Sequence, residues 1–149
     1  MAIQAGDKAP DIKTSAFKLA EQRGKRVVLF FYPKSDTPGC TKEACEFRDA
    51  AKTFAKHDAI IVGLSPDQAP AQQKFATKYA LPFTLVPDPE HAIAEAYGVW
   101  TEKSMYGRKY MGIERSTFVV DEKGKIAHVF RKVKPEGHAA EVLDALASE

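Results

Sequence analysis

The sequence has no asparagine, one tryptophan and only two cysteines among 149 residues. Without asparagine there is no N-linked glycosylation acceptor, and two cysteines cannot staple a disulfide-dense miniprotein. Charge of one sign is also missing: 22 Lys and Arg face 20 Asp and Glu, a formal net charge of +2. So small a surplus gives no electrostatic footprint for nucleic acid or an acidic membrane surface. The longest apolar run, Val27 to Tyr32, is far short of the roughly 20 residues of a membrane span. The opening Met1-Ala2-Ile3-Gln4-Ala5-Gly6-Asp7 has neither the basic nor the apolar region of a signal peptide. Repeats, low-complexity tracts and Gly/Ser linkers are absent as well. What remains is ordinary: 44% hydrophobic, 28% charged and 10% aromatic residues. A chain of this length buries about 68–70% of its unfolded surface. We therefore expect a single domain over residues 1–149 and a cytoplasmic location.

Two β-branched and aromatic runs, Arg26 to Tyr32 and Ala59 to Leu64, predict buried central strands. Between them Ala44, Phe47, Ala51 and Phe54 recur at helical spacing. Strand, helix and strand within about forty residues make a βαβ unit with a parallel sheet. Asp67 is expected to cap a helix running to about Tyr79, with Phe75 and Tyr79 as its i, i+4 pair. A short strand at Phe83 to Val86 follows, then a helix from Pro89 to Tyr97 ended by Gly98. Val99 to Arg115 shows no period and is expected to be an ordered loop. Ser116 to Val120 and Lys125 to Phe130 flank Asp121-Glu122-Lys123-Gly124, a hairpin signal. A last helix is expected over about Glu136 to Ala147, with Val142, Leu143 and Leu146 as its apolar face. This order predicts a three-layer α/β/α fold with a central mixed sheet, of thioredoxin-like architecture.

The chemistry-bearing segment lies directly after the first central strand, from Pro33 to Cys45. Thr37 suits an N-cap and Pro38 the first helical position, which puts Cys40 third in the helix. There the helix dipole and unpaired N–H groups favour a thiolate. The alternative is a buried, inert cysteine on the face shared by Ala44 and Phe47. Cys45 bears on that choice. Five positions along an intact helix separate two residues by about 140° around the axis and about 7.5 Å along it, so their Cα atoms lie roughly 8–9 Å apart. A disulfide spans at most about 7 Å, so bonding Cys40 to Cys45 requires unwinding at least one turn. Such a pair suits thiols that stay apart when reduced and join after Cys40 becomes a sulfenic acid. Two unrelated helix cysteines is the competing reading. A zinc site fails because no histidine lies near enough to complete four ligands.

These residues carry a family resemblance. Pro33-x3-Thr37-x2-Cys40 resembles the peroxiredoxin active-site motif. The wider run from Phe31-Tyr32-Pro33 through Thr37-Pro38-Gly39-Cys40-Thr41 to Glu43-Ala44-Cys45 and Phe47-Arg48-Asp49 resembles the bacterioferritin-comigratory protein (PrxQ) subfamily. Tyr97-Gly98-Val99-Trp100, Glu102-Lys103, Tyr106-Gly107 and Gly112-Ile113-x-Arg115-Ser116-Thr117-Phe118 extend the match over nearly the whole chain. The stretch from Thr14 to Lys25 departs from it, being longer and more polar. The resemblance implies a thiol-dependent peroxidase acting on hydrogen peroxide and small organic hydroperoxides. Cys40 would be the peroxidatic nucleophile and Cys45 its resolving partner. Thr37 would hydrogen-bond the peroxide and donate toward the sulfur, and Pro33 would shield the thiolate. Arg115, by itself an ordinary strand-start surface residue, would place a fixed cation beside the sulfur. Glu43 is either an orienter of that arginine or a plain first-turn acid. Trp100, Tyr106 and Tyr110 fit either core or a partner surface, and His57, His91, His128 and His138 are read as surface or loop residues. No metal or organic cofactor is expected. Thioredoxin or a similar dithiol is the expected reductant, and internal resolution favours a monomer. Two alternatives remain: a thiol–disulfide oxidoreductase on the same fold, and a redox-triggered holdase.

Overall fold

The computed structural model describes residues 3–148. Strand β1 (Arg26–Phe31) is the centre of a five-stranded sheet. It pairs in parallel with β2 (Ala59–Ser65), which pairs in parallel with β3 (Thr84–Pro87). On its other side β1 runs antiparallel to β6 (Ser116–Val120), and β6 to β7 (Ile126–Phe130), giving the order β3-β2-β1-β6-β7. The sheet is mixed, as expected.

Side-chain alternation along β1 builds two cores at once. Val27, Leu29 and Phe31 pack with Ile12, Tyr97 and Phe118 on one face. Val28, Phe30 and Tyr32 pack with Phe47, Phe54 and Phe75 on the other. Helices α1 (Pro38–Lys56), α2 (Ala69–Lys78) and α4 (His138–Ala147) supply the second core, and the short α3 (Ala92–Ala96) supplies the first together with the N-terminal segment. The apolar continuity of β1 is thus explained: both of its faces are covered by helix or chain. In α1 the expected stripe holds at Ala44, Phe47 and Phe54, whereas Ala51 is only half-buried. Phe47 stacks on Phe30 at 4.8 Å between ring centroids; full burial of such a ring is worth roughly 1.5–3 kcal/mol. That anchor fixes α1 two residues beyond Cys45.

Four expectations are corrected. Val99 to Arg115 is not a loop but a hairpin, β4 (Trp100–Met105) against β5 (Arg108–Ile113), turned by Tyr106 (φ 52°) and Gly107 (φ 78°). The two left-handed residues form the two-residue turn whose twist suits a hairpin. No periodicity announces these strands because much of both faces meets solvent: Met105, Tyr106, Tyr110 and Met111 are all exposed. Asp67 does not cap α2; Gln68 holds that position. The Asp67 carboxylate instead accepts from the Ser35 amide and the Ser65 hydroxyl, both at 2.8 Å. Helix α3 is shorter than Pro89 to Tyr97, because Asp88 accepts from the Ile93 and Ala94 amides and sets its start. Finally, α4 begins at His138, after Gly137 at φ 81°. Among the described residues no helix is long and apolar enough to cross a membrane.

Candidate active site

The β1–α1 connection is held by side chains from several elements. Tyr32 and Ser35 share a hydroxyl contact of 3.1 Å. Asp36, in the left-handed region at φ 63°, receives Lys78 at 3.0 Å and the Tyr79 hydroxyl at 2.9 Å. These contacts draw the loop toward the C-terminal end of α2 and fix where α1 begins. Pro33 lies half-buried at the loop's start.

Thr37 is the N-cap of α1 by backbone (φ −93°, ψ 156°), and its carbonyl accepts from the Thr41 amide at 2.8 Å. Its hydroxyl makes no capping bond. It donates to the Lys34 carbonyl at 2.8 Å, so the donation toward Cys40 expected from the sequence is not made, and the hydroxyl lone pairs stay available. Pro38 occupies the first helical turn and Cys40 the third position, where it is buried at 1% exposure.

Arg115, four strands' width of sequence away, meets Cys40 because β6 lies beside β1. Its Nη2 donates to Cys40 Sγ at 3.4 Å and its Nη1 to Glu43 Oε1 at 2.8 Å. The Arg115 carbonyl accepts from the Val133 amide at 2.9 Å, which pins the backbone that carries the guanidinium. Glu43 lies one turn after Cys40 and is 1% exposed. Burial pushes its carboxyl up to about 7 against the pull of Arg115, and its Oε2 has no hydrogen-bond partner. For Arg115 the balance runs the other way: burial lowers it, yet Glu43 and Cys40 raise it overall. Of the two sequence readings of Glu43, the geometry fits an orienter of the arginine.

Cys45 lies half-buried on the same unbroken helix, and both thiols are free. The separation expected for residues five apart in a helix therefore applies.

Several residues near the site escaped the sequence reading. Gly39 gives Arg115 its approach, since a Cβ there would sit 3.2 Å from Nη2 and 3.4 Å from Pro135 Cγ. His138 is not a surface residue but 2% exposed. Its Nε2 lies 2.7 Å from the Thr117 hydroxyl and its Nδ1 2.9 Å from Glu141, between the rings of Phe47 and Phe130. Burial pushes it below the usual imidazole range despite Glu141. Position alone gave no sign of this, because neighbours far away in sequence bury it. Trp100 is half-buried and stacks on His91 at 4.0 Å, whereas Tyr106 is 98% exposed. Clefts of about 530 Å³ beside Ile60 and Phe83, and about 760 Å³ beside Asp36 and Phe75, lie away from Cys40.

A mixed sheet between helices, with a cysteine in the first turn of the helix after its central strand and an arginine against the sulfur, defines a cysteine-based redox enzyme. Solved structures with this architecture confirm the thioredoxin-like fold. The chain is 37% identical to Xanthomonas campestris peroxiredoxin Q, with a TM-score of 0.89 over 97% of this chain and 98% of that one. It superposes equally well, at 36% identity over the same shares, on the bacterioferritin comigratory protein of that organism, solved as trapped intermediate and ligand complexes that bear on its alkyl peroxide reduction activity. It is also 49% identical over 151 residues to peroxiredoxin Bcp of Bacillus subtilis strain 168, covering 98% of this chain and 96% of that protein. The AhpC/TSA family model matches residues 5–129, and the chain belongs to that family. It is a thiol-dependent peroxidase of the Bcp/PrxQ peroxiredoxin type.

Proposed function

We propose that Cys40 is the residue oxidised by peroxide and that Cys45 resolves it within one chain. The observation that carries this reading is the 3.4 Å contact from Arg115 to Cys40 Sγ, with Arg115 itself held by buried Glu43. A guanidinium donating to sulfur gives negative charge there a fixed, charge-assisted partner. It also meets the charge that develops on the departing oxygen. Thr37 accepts a hydrogen bond from the peroxide O–H and helps align the O–O bond for in-line attack. Pro33 walls the pocket.

Attack forms the Sγ–O bond and breaks O–O, leaving a sulfenic acid and water or an alcohol. Cys45 then displaces hydroxide from that sulfenic acid, which leaves as water. The helical separation requires the first turns of α1 to unwind for this step. Phe47, packed on Phe30, marks where the unwinding stops. An external dithiol, for which thioredoxin is our candidate, reduces the disulfide by exchange. Because each chain holds both thiols, the enzyme works as a single-domain monomer in a reducing cytoplasm, where a transient catalytic disulfide is compatible with the redox poise.

Pre-reduced protein mixed with one equivalent of hydrogen peroxide tests this. Loss of both thiols within seconds, a two-proton fall in intact mass and no dimer on a non-reducing gel are expected. Cys45→Ser should consume one equivalent and stop at the sulfenic acid, and Cys40→Ser should consume none. Full multi-turnover activity of Cys45→Ser with thioredoxin would rule out internal resolution.

A further inference from the structure

Resolution has to bring one cysteine to the other, and more than the helix itself holds them apart. The chain between β7 and α4 is laid over the start of α1 and fastened at three points. The Val133 amide donates to the Arg115 carbonyl at 2.9 Å, which anchors the segment on the backbone entering β6. Half-buried Pro135 follows, its Cγ 3.4 Å from where a Cβ on Gly39 would sit. The Gly137 amide then donates to Glu46 Oε1 at 2.9 Å. Gly137 is the N-cap of α4 and, being glycine, offers that helix no side-chain cap. The Glu46 carboxylate, a side chain of α1, takes its place at the positive end of α4.

Spacings of four and three put Gly39, Glu43 and Glu46 on one face of α1. All three are engaged there, Gly39 by Pro135, Glu43 by Arg115 and Glu46 by Gly137. The two cysteines border this face at its ends: Cys40 follows Gly39, and Cys45 precedes Glu46. Neither sulfur can leave its helical position without pulling on the backbone of a fastened neighbour. The other ends of these fastenings, at Arg115 and in α4, lie outside the segment that unwinds.

We propose that residues 133–137 are a strap over the start of α1, fastened by Glu46, that restrains the unwinding through which Cys45 reaches the Cys40 sulfenic acid. Glu46 is thus a positioning residue of the resolving step, acting through α1 and not on the reacting atoms. In that step the Cys45 sulfur forms the S–S bond and the S–O bond of the sulfenic acid breaks. Hydroxide leaves as water with the thiol's proton. This role rests on Cys45 resolving Cys40 as proposed above. Where reclosing outpaces the chemistry, the rate of disulfide formation is proportional to the population of the unwound state. A weaker strap therefore gives a faster resolving step.

Glu46→Ala and Lys42→Gln separate the strap from the helix. Lys42 pairs with Glu46 at 3.8 Å within α1, so Lys42→Gln removes that pair and keeps the tie to Gly137. Alanine is a better helix former than glutamate, so propensity alone would slow unwinding in Glu46→Ala. Pre-reduced proteins are mixed with hydrogen peroxide and quenched at intervals, and intact mass follows first the sulfenic acid and then the disulfide. In Glu46→Ala, disulfide formation should quicken by between about twofold and about tenfold, the range for losing a hydrogen bond to a partly exposed carboxylate. Formation of the sulfenic acid should stay within about twofold of wild type, a split between the two steps that general destabilisation would not produce. Hydrogen exchange at amides 41–46 of the reduced variant should quicken as well. Lys42→Gln should form the disulfide at the wild-type rate. A gain below twofold in Glu46→Ala, a slower disulfide there, or an equal gain in Lys42→Gln would each overturn the proposal. If wild type forms no Cys40–Cys45 disulfide, the reading of the two cysteines fails and takes the role of the strap with it.

Discussion

Glu43 accepts a 2.8 Å hydrogen bond from Arg115 where almost no water reaches it, with its second carboxylate oxygen unpartnered. A buried carboxylate with one charged donor and one orphaned oxygen is incompletely compensated. Stability is given up there to hold the guanidinium in one orientation against Cys40.

A pH effect follows with a defined sign. Burial raises the Glu43 carboxyl from its ordinary 4.5 to about 7. Between those values the folded protein keeps a proton that the unfolded chain has released. Its contribution to stability is therefore full at low pH and lost as pH rises through about 7, by about 2 kcal/mol between roughly pH 5.5 and 8. His138, held below its ordinary value, pushes the opposite way over part of that range. The measurement is the difference in denaturant unfolding between wild type and Glu43→Gln across the window. The variant should lack the Glu43 slope; parallel curves would refute the buried, proton-linked carboxyl.

Replacing Arg115 by Lys keeps a charge but loses the planar fork that reaches Glu43 and Cys40 together. Removing one preorganised donor of this kind costs about 10²–10³ in rate. Single-turnover oxidation by hydrogen peroxide should slow by about that factor. A variant within threefold of wild type would show that the guanidinium geometry is unimportant.

Gly39→Ala separates local stability from chemistry. Within a helix, alanine is favoured over glycine by roughly 0.5–1 kcal/mol, yet the new methyl would sit 3.2 Å from Arg115 Nη2. We expect a folded protein, its helix-propensity gain offset by displacing Arg115, that is oxidised more slowly by peroxide. Wild-type kinetics would mean that Arg115 yields at no cost.

The parts legible in the sequence are those whose burial is decided locally. β1 and β2 are apolar on both faces, and the Ala44, Phe47, Phe54 stripe stands out against the polar remainder of α1. Thr37, Pro38 and Cys40 fall at the helix start where cap chemistry puts them. The β4–β5 hairpin was hidden because its exposed apolar residues break the alternation that burial imposes. Tyr106-Gly107 was its one local signal. Gly39 and His138 acquire their surroundings from Arg115 and Phe130, contacts that depend on tertiary packing and leave no mark in nearby sequence.

Placing both thiols on one unbroken helix has a consequence for dose. On the resolution scheme proposed here, the sulfenic acid waits for α1 to fray, and during that wait a second peroxide can carry the sulfur to the irreversible sulfinic state. The lifetime of the vulnerable state is therefore written in the hydrogen bonds of a few helical turns. Each substitution that firms the start of α1 would lengthen it, and each that loosens it would shorten it. Helix propensity between Pro38 and Glu46 thus acts as a fuse rating, setting how much oxidant the molecule survives independently of how fast it reacts.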